Sequence, residues 1–115
     1  MRILARQEFM KLPEGTIFAS GGRCYFDGFF VKGETWETDF LCRSLNIFDA
    51  SGTDDFVGGF DEMVAGASRP IEQCYGREGL FDDEMLYLVY EPADIAELIR
   101  VLQAAPQTQK GPPSS

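Results

Sequence analysis

The feature that most restricts the fold is a series of short β-prone runs, separated by glycine, between residues 16 and 32. The runs cover residues 16–19, 23–26 and 29–32, and the pairs Gly21-Gly22 and Asp27-Gly28 separate them. Two-residue turns that contain glycine tolerate positive φ and join neighbouring antiparallel strands. The pattern therefore predicts an antiparallel meander, and the alternation within residues 39–48 predicts a fourth strand.

After residue 50 the apolar residues follow the period of an α-helix instead of that of a strand. Ser51 or Thr53 can cap the start of this helix, and the acids of its first turn lie near the positive end of the helix dipole. One side of the helix is apolar and is expected to pack, and it contains Phe56, Phe60, Met63, Val64 and Ala67. The opposite side is acidic.

Three further segments complete the predicted fold. A short helix is expected over residues 6–12, followed by a type I turn over residues 12–15 that has Pro13 at its second position. The unbroken apolar run at residues 85–90 predicts a central strand. A last helix, which starts near Pro92, is expected to dock on the sheet through Ile95, Leu98, Ile99 and Leu102.

Together these elements predict an α+β fold, with an antiparallel sheet of four to five strands, two amphipathic helices and a short N-terminal helix. We expect a single compact domain over residues 1–105, because a chain of 115 residues can bury one core of its own. Residues 106–115 contain three prolines and no hydrophobic residue, so we expect them to form a flexible tail.

Missing residue types exclude most catalytic chemistry. The chain has no histidine, which removes the catalytic triads and metal sites that depend on imidazole. Its three cysteines form no CxxC pair and are interpreted as reduced thiols that pack like small hydrophobic residues. We therefore expect no enzyme activity, no metal site and no cofactor. An enzyme with a glycosidase-like carboxylate pair ranks third, after the two hypotheses given below. It stays open because such a pair needs only two carboxylates at the correct separation, which the sequence does not give.

The charge is unevenly distributed. The formal net charge is −9, and the whole excess lies in residues 49–115, which hold thirteen acids and four bases. Phosphates are repelled by such a chain, so direct binding to nucleic acid or to anionic lipid is disfavoured. No apolar run approaches the ~18 residues of a membrane span, and charged residues interrupt the first ten positions, where a signal peptide is apolar. We expect a cytoplasmic protein.

Seven carboxylates in two clusters are the candidate partner-binding residues: Asp54, Asp55, Asp61, Glu62, Asp82, Asp83 and Glu84. Neither cluster has the ligand spacing of an EF-hand. Asp54 to Glu62 spans about 12 Å of helix with four carboxylates, which is close to the charge density of one strand of B-DNA. Such a surface can compete for a basic groove that normally holds nucleic acid. The alternative is a solvated acidic face that keeps the protein soluble.

Three segments resemble small proteins encoded by phages and prophages: residues 6–16, the turn at residues 32–35 and the acidic residues 81–84 before an apolar strand. Anti-CRISPR proteins and other inhibitors of host nucleic-acid machinery recur among phage proteins of this size and acidity, and several of them mimic DNA. The resemblance thus implies a non-enzymatic, anti-CRISPR-like inhibitor that binds a basic partner protein, and it assigns no role to an individual residue.

A second hypothesis belongs to another class. Phe29, Phe30 and Trp36 lie near predicted turns and can anchor a structural or assembly module that binds a partner, or a second copy, through apolar contacts. The alternative for these aromatic residues is packing in the core. Salt separates the two hypotheses, because an apolar interface persists at a salt concentration that screens an acidic one.

Overall fold

The computed structural model describes residues 1–71, 75–77 and 84–106, and these residues form a mixed α+β fold. The strands are β1 (Arg2–Ala5), β2 (Ile17–Gly22), β3 (Tyr25–Thr35), β4 (Phe40–Ser44), β5 (Gly76–Arg77) and β6 (Leu86–Val89). The helices are α1 (Arg6–Met10), α2 (Thr53–Val64) and α3 (Pro92–Gln103). The α+β class is confirmed, and the sheet of the described residues has six strands where four to five were predicted.

The sheet is antiparallel throughout, with the strand order β1-β6-β2-β3-β4-β5. β6 pairs with β1 on one side and with β2 on the other, which confirms the prediction of a strand with two neighbours at residues 85–90. β1 was not predicted. It directly precedes α1, which ends at Met10, two residues earlier than expected.

The turn between β2 and β3 lies two residues later than the predicted one. Gly22 pairs with Tyr25, so Gly21 and Gly22 belong to β2, and Arg23 and Cys24 form the turn. Cys24 has a φ of 69°, a positive value of the kind that two-residue hairpin turns use. A Cβ atom at Gly21 would overlap the carbonyl oxygen of Tyr25, so this glycine allows the close approach of the two strands.

The predicted turn at Asp27-Gly28 is a bulge inside β3. The pairing of β2 with β3 shifts by one residue between Phe18 and Ser20, and Gly28 has a φ of 81°. An extra residue on one strand of an antiparallel pair is a β-bulge, and glycine supplies the positive φ that many bulges require. The two predicted runs on either side of Gly28 therefore form one long strand.

The core lies between α1 and one face of the sheet. Phe9 of α1 is fully buried and stacks on Tyr87 of β6 with ring centroids 4.3 Å apart. The rings of Phe18 and Phe40 also pack against the Phe9 ring, at centroid distances of 4.6 and 5.2 Å. Complete burial of one such side chain stabilises the fold by about 1.5–3 kcal/mol relative to its exposed state. The five-residue helix α1 thus serves mainly to place Phe9.

The apolar sides of the two long helices are largely open, contrary to expectation. α2 starts at Thr53, and its N-cap is Gly52 with no side-chain capping hydrogen bond, so the predicted cap at Ser51 or Thr53 is wrong. Phe60 and Val64 are 55% and 74% exposed, and the only buried residue of α2 is Gly59. α3 has no buried residue, and Leu102 is 64% exposed. Within the described residues the predicted packing is therefore only partial: Phe56 of α2 stacks on Phe48, and Ile95 and Leu98 of α3 are half-buried, whereas the other residues of the two predicted faces are exposed. No helix in this part of the chain is long and apolar enough to cross a membrane.

Candidate functional site

Helix α2 carries four of the seven candidate partner-binding acids, and an aromatic contact fixes its position. Phe56 of α2 stacks on Phe48, which is buried, with ring centroids 4.9 Å apart and planes 14° from parallel. The guanidinium carbon of Arg69 lies 5.9 Å from the centroid of the same Phe48 ring. Phe48 and Arg69 therefore hold one side of the helix, and the opposite side faces outward.

Arg69 clamps two of the four acids. Its guanidinium donates two hydrogen bonds to the Asp55 carboxylate, each 3.1 Å long, and a third of 3.4 Å to Glu62. Gly59 makes room for this arrangement, since a Cβ atom there would lie 2.8 Å from Cζ of Arg69 and 3.0 Å from a ring carbon of Phe48. Asp55 and Glu62 therefore attach the helix to the fold.

The clamp changes the acidity of both partners. The hydrogen bonds from Arg69 lower the pKa of Asp55, and the backbone N–H of Ser51, which donates to the same carboxylate at 2.9 Å, lowers it further. In return, the Asp55 carboxylate raises the pKa of Arg69. Each group favours the charged form of the other, so this pair stays ionised at neutral pH.

The other two acids of α2 are exposed. Asp54 and Asp61 are seven residues apart, so they lie on the same side of the helix, about 10 Å apart along its axis. Within the described residues, neither side chain has an ion-pair or hydrogen-bond partner. These two carboxylates are available to a binding partner.

Exposed apolar side chains lie directly beside these two acids. At 100° per residue, Val57, Phe60 and Val64 occupy the arc next to Asp54 and Asp61, on the side of α2 away from Gly59. Val57 and Phe60 are both more than half exposed, and Val64 is more exposed than either of them. We call these five residues the outward face of α2. Sequence analysis missed Val57, because the predicted packing arc lay closer to the attached side.

The second acidic cluster is only partly described. Glu84 is exposed and lines a cavity with Arg23 and Tyr25 at the end of the β2–β3 hairpin. Asp82 and Asp83, which were predicted to bind a partner together with Glu84, lie outside the described residues. Glu84 thus lies near the hairpin, whereas Phe48 and Arg69 position α2.

Comparisons of this chain with protein-family models, with curated proteins and with solved structures found no match. The role of α2 is therefore inferred from its contacts, exposure and charge.

The aromatic residues of the assembly hypothesis do not form a common exposed surface. Phe30 is half-buried against the core, and Phe29 packs edge-on against Tyr90 with ring centroids 5.5 Å apart. Trp36 is exposed, and the guanidinium carbon of Arg77 lies 5.0 Å from the centroid of its ring. Phe29 and Phe30 are therefore packing residues, and only Trp36 keeps an exposed ring.

A buried polar cluster links α1 to the sheet, and the sequence did not indicate it. Arg6 donates to the Tyr87 hydroxyl at 2.9 Å and to the carbonyl oxygen of Thr38 at 3.0 Å, and its guanidinium lies 3.6 Å from the Asp39 carboxylate. Arg77 donates to the same carboxylate at 2.9 Å. These partners are 32 to 81 residues apart in the chain, so no local pattern predicts them.

Lys32 is also buried, at 1% exposure. Its ammonium group donates to the Thr35 hydroxyl, which in turn donates to the carbonyl oxygen of Met10 at 3.2 Å. Burial lowers the pKa of Lys32, because a low-dielectric environment disfavours the charged form. The connection from β3 to the end of α1 gives this lysine a structural role.

The described cysteines differ in exposure. Cys24 is exposed in the β2–β3 turn, contrary to the expectation of burial, and Cys42 is half-buried against the core. Cys74 lies outside the described residues. In the part of the chain that the structure describes, no group of three Cys, Asp or Glu side chains is arranged to hold a metal ion.

Proposed function

We propose that this protein is a non-enzymatic inhibitor that binds a basic surface of another protein through the outward face of α2. The observation that carries this proposal is the juxtaposition of Asp54 and Asp61, which have no partner in the described residues, with the exposed side chains of Val57, Phe60 and Val64. The proposed partner is a nucleic-acid-binding protein in the cytoplasm, and the proposed inhibitor resembles an anti-CRISPR protein encoded by a phage.

The charge of α2 suits a groove that normally holds nucleic acid. Asp54, Asp55, Asp61 and Glu62 carry four negative charges, and Arg69 offsets one of them. The net three charges over about 12 Å belong to the helix as a whole, against one phosphate per 3.4 Å along a strand of B-DNA; the outward face itself carries two of them, Asp54 and Asp61, about 10 Å apart along the axis. Arginine and lysine side chains that bind phosphates also form strong hydrogen bonds with carboxylates.

The apolar residues of the outward face give the contact a second component. An amphipathic helix binds a groove by inserting apolar side chains at intervals of three or four residues, and Val57, Phe60 and Val64 have this spacing. The acids therefore select a basic partner, and the apolar residues add affinity and fix the position of the helix.

The test compares two double variants that remove the same charge. Asp54→Asn with Asp61→Asn removes two negative charges from the outward face. Glu34→Gln with Glu37→Gln removes two from exposed positions around the β3–β4 connection, and it serves as the matched control. Asp55 and Glu62 are left unchanged, because their substitution would release Arg69 and alter the attachment of the helix.

Each variant and the wild type are immobilised and used to capture proteins from a bacterial lysate, and the affinity for each captured protein is then measured after purification. We expect the wild type and the control to retain a basic nucleic-acid-binding protein that the Asp54/Asp61 variant loses. Retention should fall steeply toward about 1 M salt, where the Debye length is ~3 Å. Equal affinity of the two double variants for that protein would refute the role of the outward face.

A further inference from the structure

Asp27 and Gly28 form the only Asp-Gly pair in the chain, and they lie at the bulge of β3. Asp27 is exposed, so water reaches its carboxyl group. Gly28 has a φ of 81° and carries no side chain that would shield its own backbone nitrogen. An open carboxyl group and an unshielded amide nitrogen are therefore neighbours in the chain.

The bulge also removes the Gly28 amide from the hydrogen bonds of the sheet. β3 pairs with β2 through Asp27 on one side of the bulge and through Phe30 on the other, and no pair of β3 with β2 or β4 includes Gly28. The N–H of Gly28 donates instead to Oδ1 of Asp27 at 2.8 Å. In a regular strand a neighbouring strand holds such an N–H. The Gly28 nitrogen thus lies beside the carboxyl group of the preceding residue.

We propose that this pair is a site of spontaneous backbone modification, at which Asp27 converts to isoaspartate through a cyclic imide. In the first step the Gly28 nitrogen forms a bond to Cγ of Asp27, and the bond from Cγ to one carboxyl oxygen breaks. That oxygen leaves as water, with the proton of the carboxylic acid and the proton of the amide. The step is a dehydration, and no atom is oxidised or reduced.

Water then opens the five-membered ring. Its addition at Cγ restores aspartate, whereas its addition at the main-chain carbonyl carbon gives isoaspartate, in which the chain continues through Cγ. Either product has the mass and the charge of the original residue, because the water that was lost has returned. In isoaspartate the main chain is longer by one atom, at a point where the pairing of β3 is already interrupted.

A comparison of the folded and the unfolded protein tests the role of the bulge. Samples in buffer and in guanidinium chloride are incubated at neutral pH and physiological temperature, and digests are analysed by electron-transfer mass spectrometry, which separates the two isomers by their backbone fragments. We expect isoaspartate at residue 27 to form at least as fast in the folded protein as in the unfolded one. A folded rate below the unfolded rate would overturn the proposal, because the bulge would then protect the bond as a regular strand does.

Asp49 is the control within the same samples. It is exposed like Asp27, but Ala50 follows it, and the methyl group of Ala50 shields the amide nitrogen that would close the ring. We expect Asp49 to remain aspartate over the time in which Asp27 reacts. Equal conversion at the two positions would show that Gly28 has no special role and would overturn the assignment.

Two variants test the ring itself. Asp27→Asn closes the same ring with ammonia as the leaving group, so on incubation each chain should gain one negative charge, which isoelectric focusing detects. Asn46, which is exposed and followed by the branched Ile47, should keep its amide. Asp27→Glu keeps the carboxylate but needs a six-membered ring, so it should give no isomer. An Asp27→Asn variant that keeps its charge, or an Asp27→Glu variant that isomerises, would overturn the proposal. None of these measurements involves α2, so their outcome is independent of the proposed inhibitor function.

Discussion

Gly58 and Gly59 are neighbours in α2, yet alanine should have opposite effects at the two positions. Alanine in the interior of a helix is about 1 kcal/mol more favourable than glycine. At Gly58 no atom of another group lies within 4 Å of the added Cβ, so Gly58→Ala should stabilise the helix by nearly that amount.

At Gly59 the added methyl group meets the contact that attaches the helix. Its Cβ would lie 2.8 Å from Nε and Cζ of Arg69 and 3.0 Å from Phe48, closer than carbon atoms pack in proteins. Overpacking of this kind costs about 1–3 kcal/mol. Against the gain of about 1 kcal/mol in helix propensity, Gly59→Ala should change the stability of α2 by between zero and 2 kcal/mol in the unfavourable direction. The two variants should thus differ by about 1–3 kcal/mol.

Amide hydrogen exchange of α2 is the appropriate assay, because a helix with few buried residues opens locally, without unfolding of the sheet. Protection of the α2 amides should increase in Gly58→Ala and decrease or stay unchanged in Gly59→Ala. The amides of β2 and β6 serve as the internal reference and should not change. Equal stabilisation by both alanines would show that Arg69 and Phe48 do not rest on Gly59, and the assignment of the outward face would then be wrong.

Two further predictions concern the polar contacts. Tyr87→Phe removes the hydroxyl that accepts a hydrogen bond from Arg6, so urea unfolding should show a loss of about 1–3 kcal/mol, and an unchanged midpoint would contradict the buried contact. Asp55 should titrate below its ordinary pKa of 3.8 in an NMR experiment, because Arg69 stabilises its charged form. Since the folded pKa is the lower one, this contribution to stability is present above pH 3.8 and is lost as the pH falls through the lowered pKa. Arg69→Gln should return the titration midpoint toward 3.8, and an unshifted midpoint in the wild type would contradict the clamp.

The sequence predicted the kinds of elements better than their boundaries. Glycine permits positive φ in turns and in bulges alike, so the pattern alone did not distinguish the bulge at Gly28 from a turn. Cys24 adopts the positive φ of the hairpin turn, and a positive φ is uncommon for residues other than glycine, so the residue type did not indicate this turn. β1 escaped prediction because its four residues carry no strong alternation and their partners in β6 lie more than eighty residues away.

The sequence predicted the candidate site as a set of acids. In the structure, Arg69 binds Asp55 and Glu62, whereas Asp54 and Asp61 are exposed. Helical periodicity correctly placed residues of α2 on common sides, but it does not reveal whether another element covers a side. Arg69 is seven residues from Glu62 and fourteen from Asp55, beyond the end of the helix, so the clamp follows from the path of the chain after α2. Asp54 and Asp61 remain as candidates because this path leaves them exposed.

The position of β6 in the sheet has a consequence for biosynthesis. A nascent chain that has emerged only through β5 lacks the strand that joins β1 to β2, so the aromatic ring of Tyr87 is missing from its core. Folds that depend on contacts between distant segments form late and slowly, and their unpaired strand edges are prone to aggregation in the meantime. A chain that is released just before residue 86 therefore keeps β1 and β2 with unpaired edges and cannot complete its sheet.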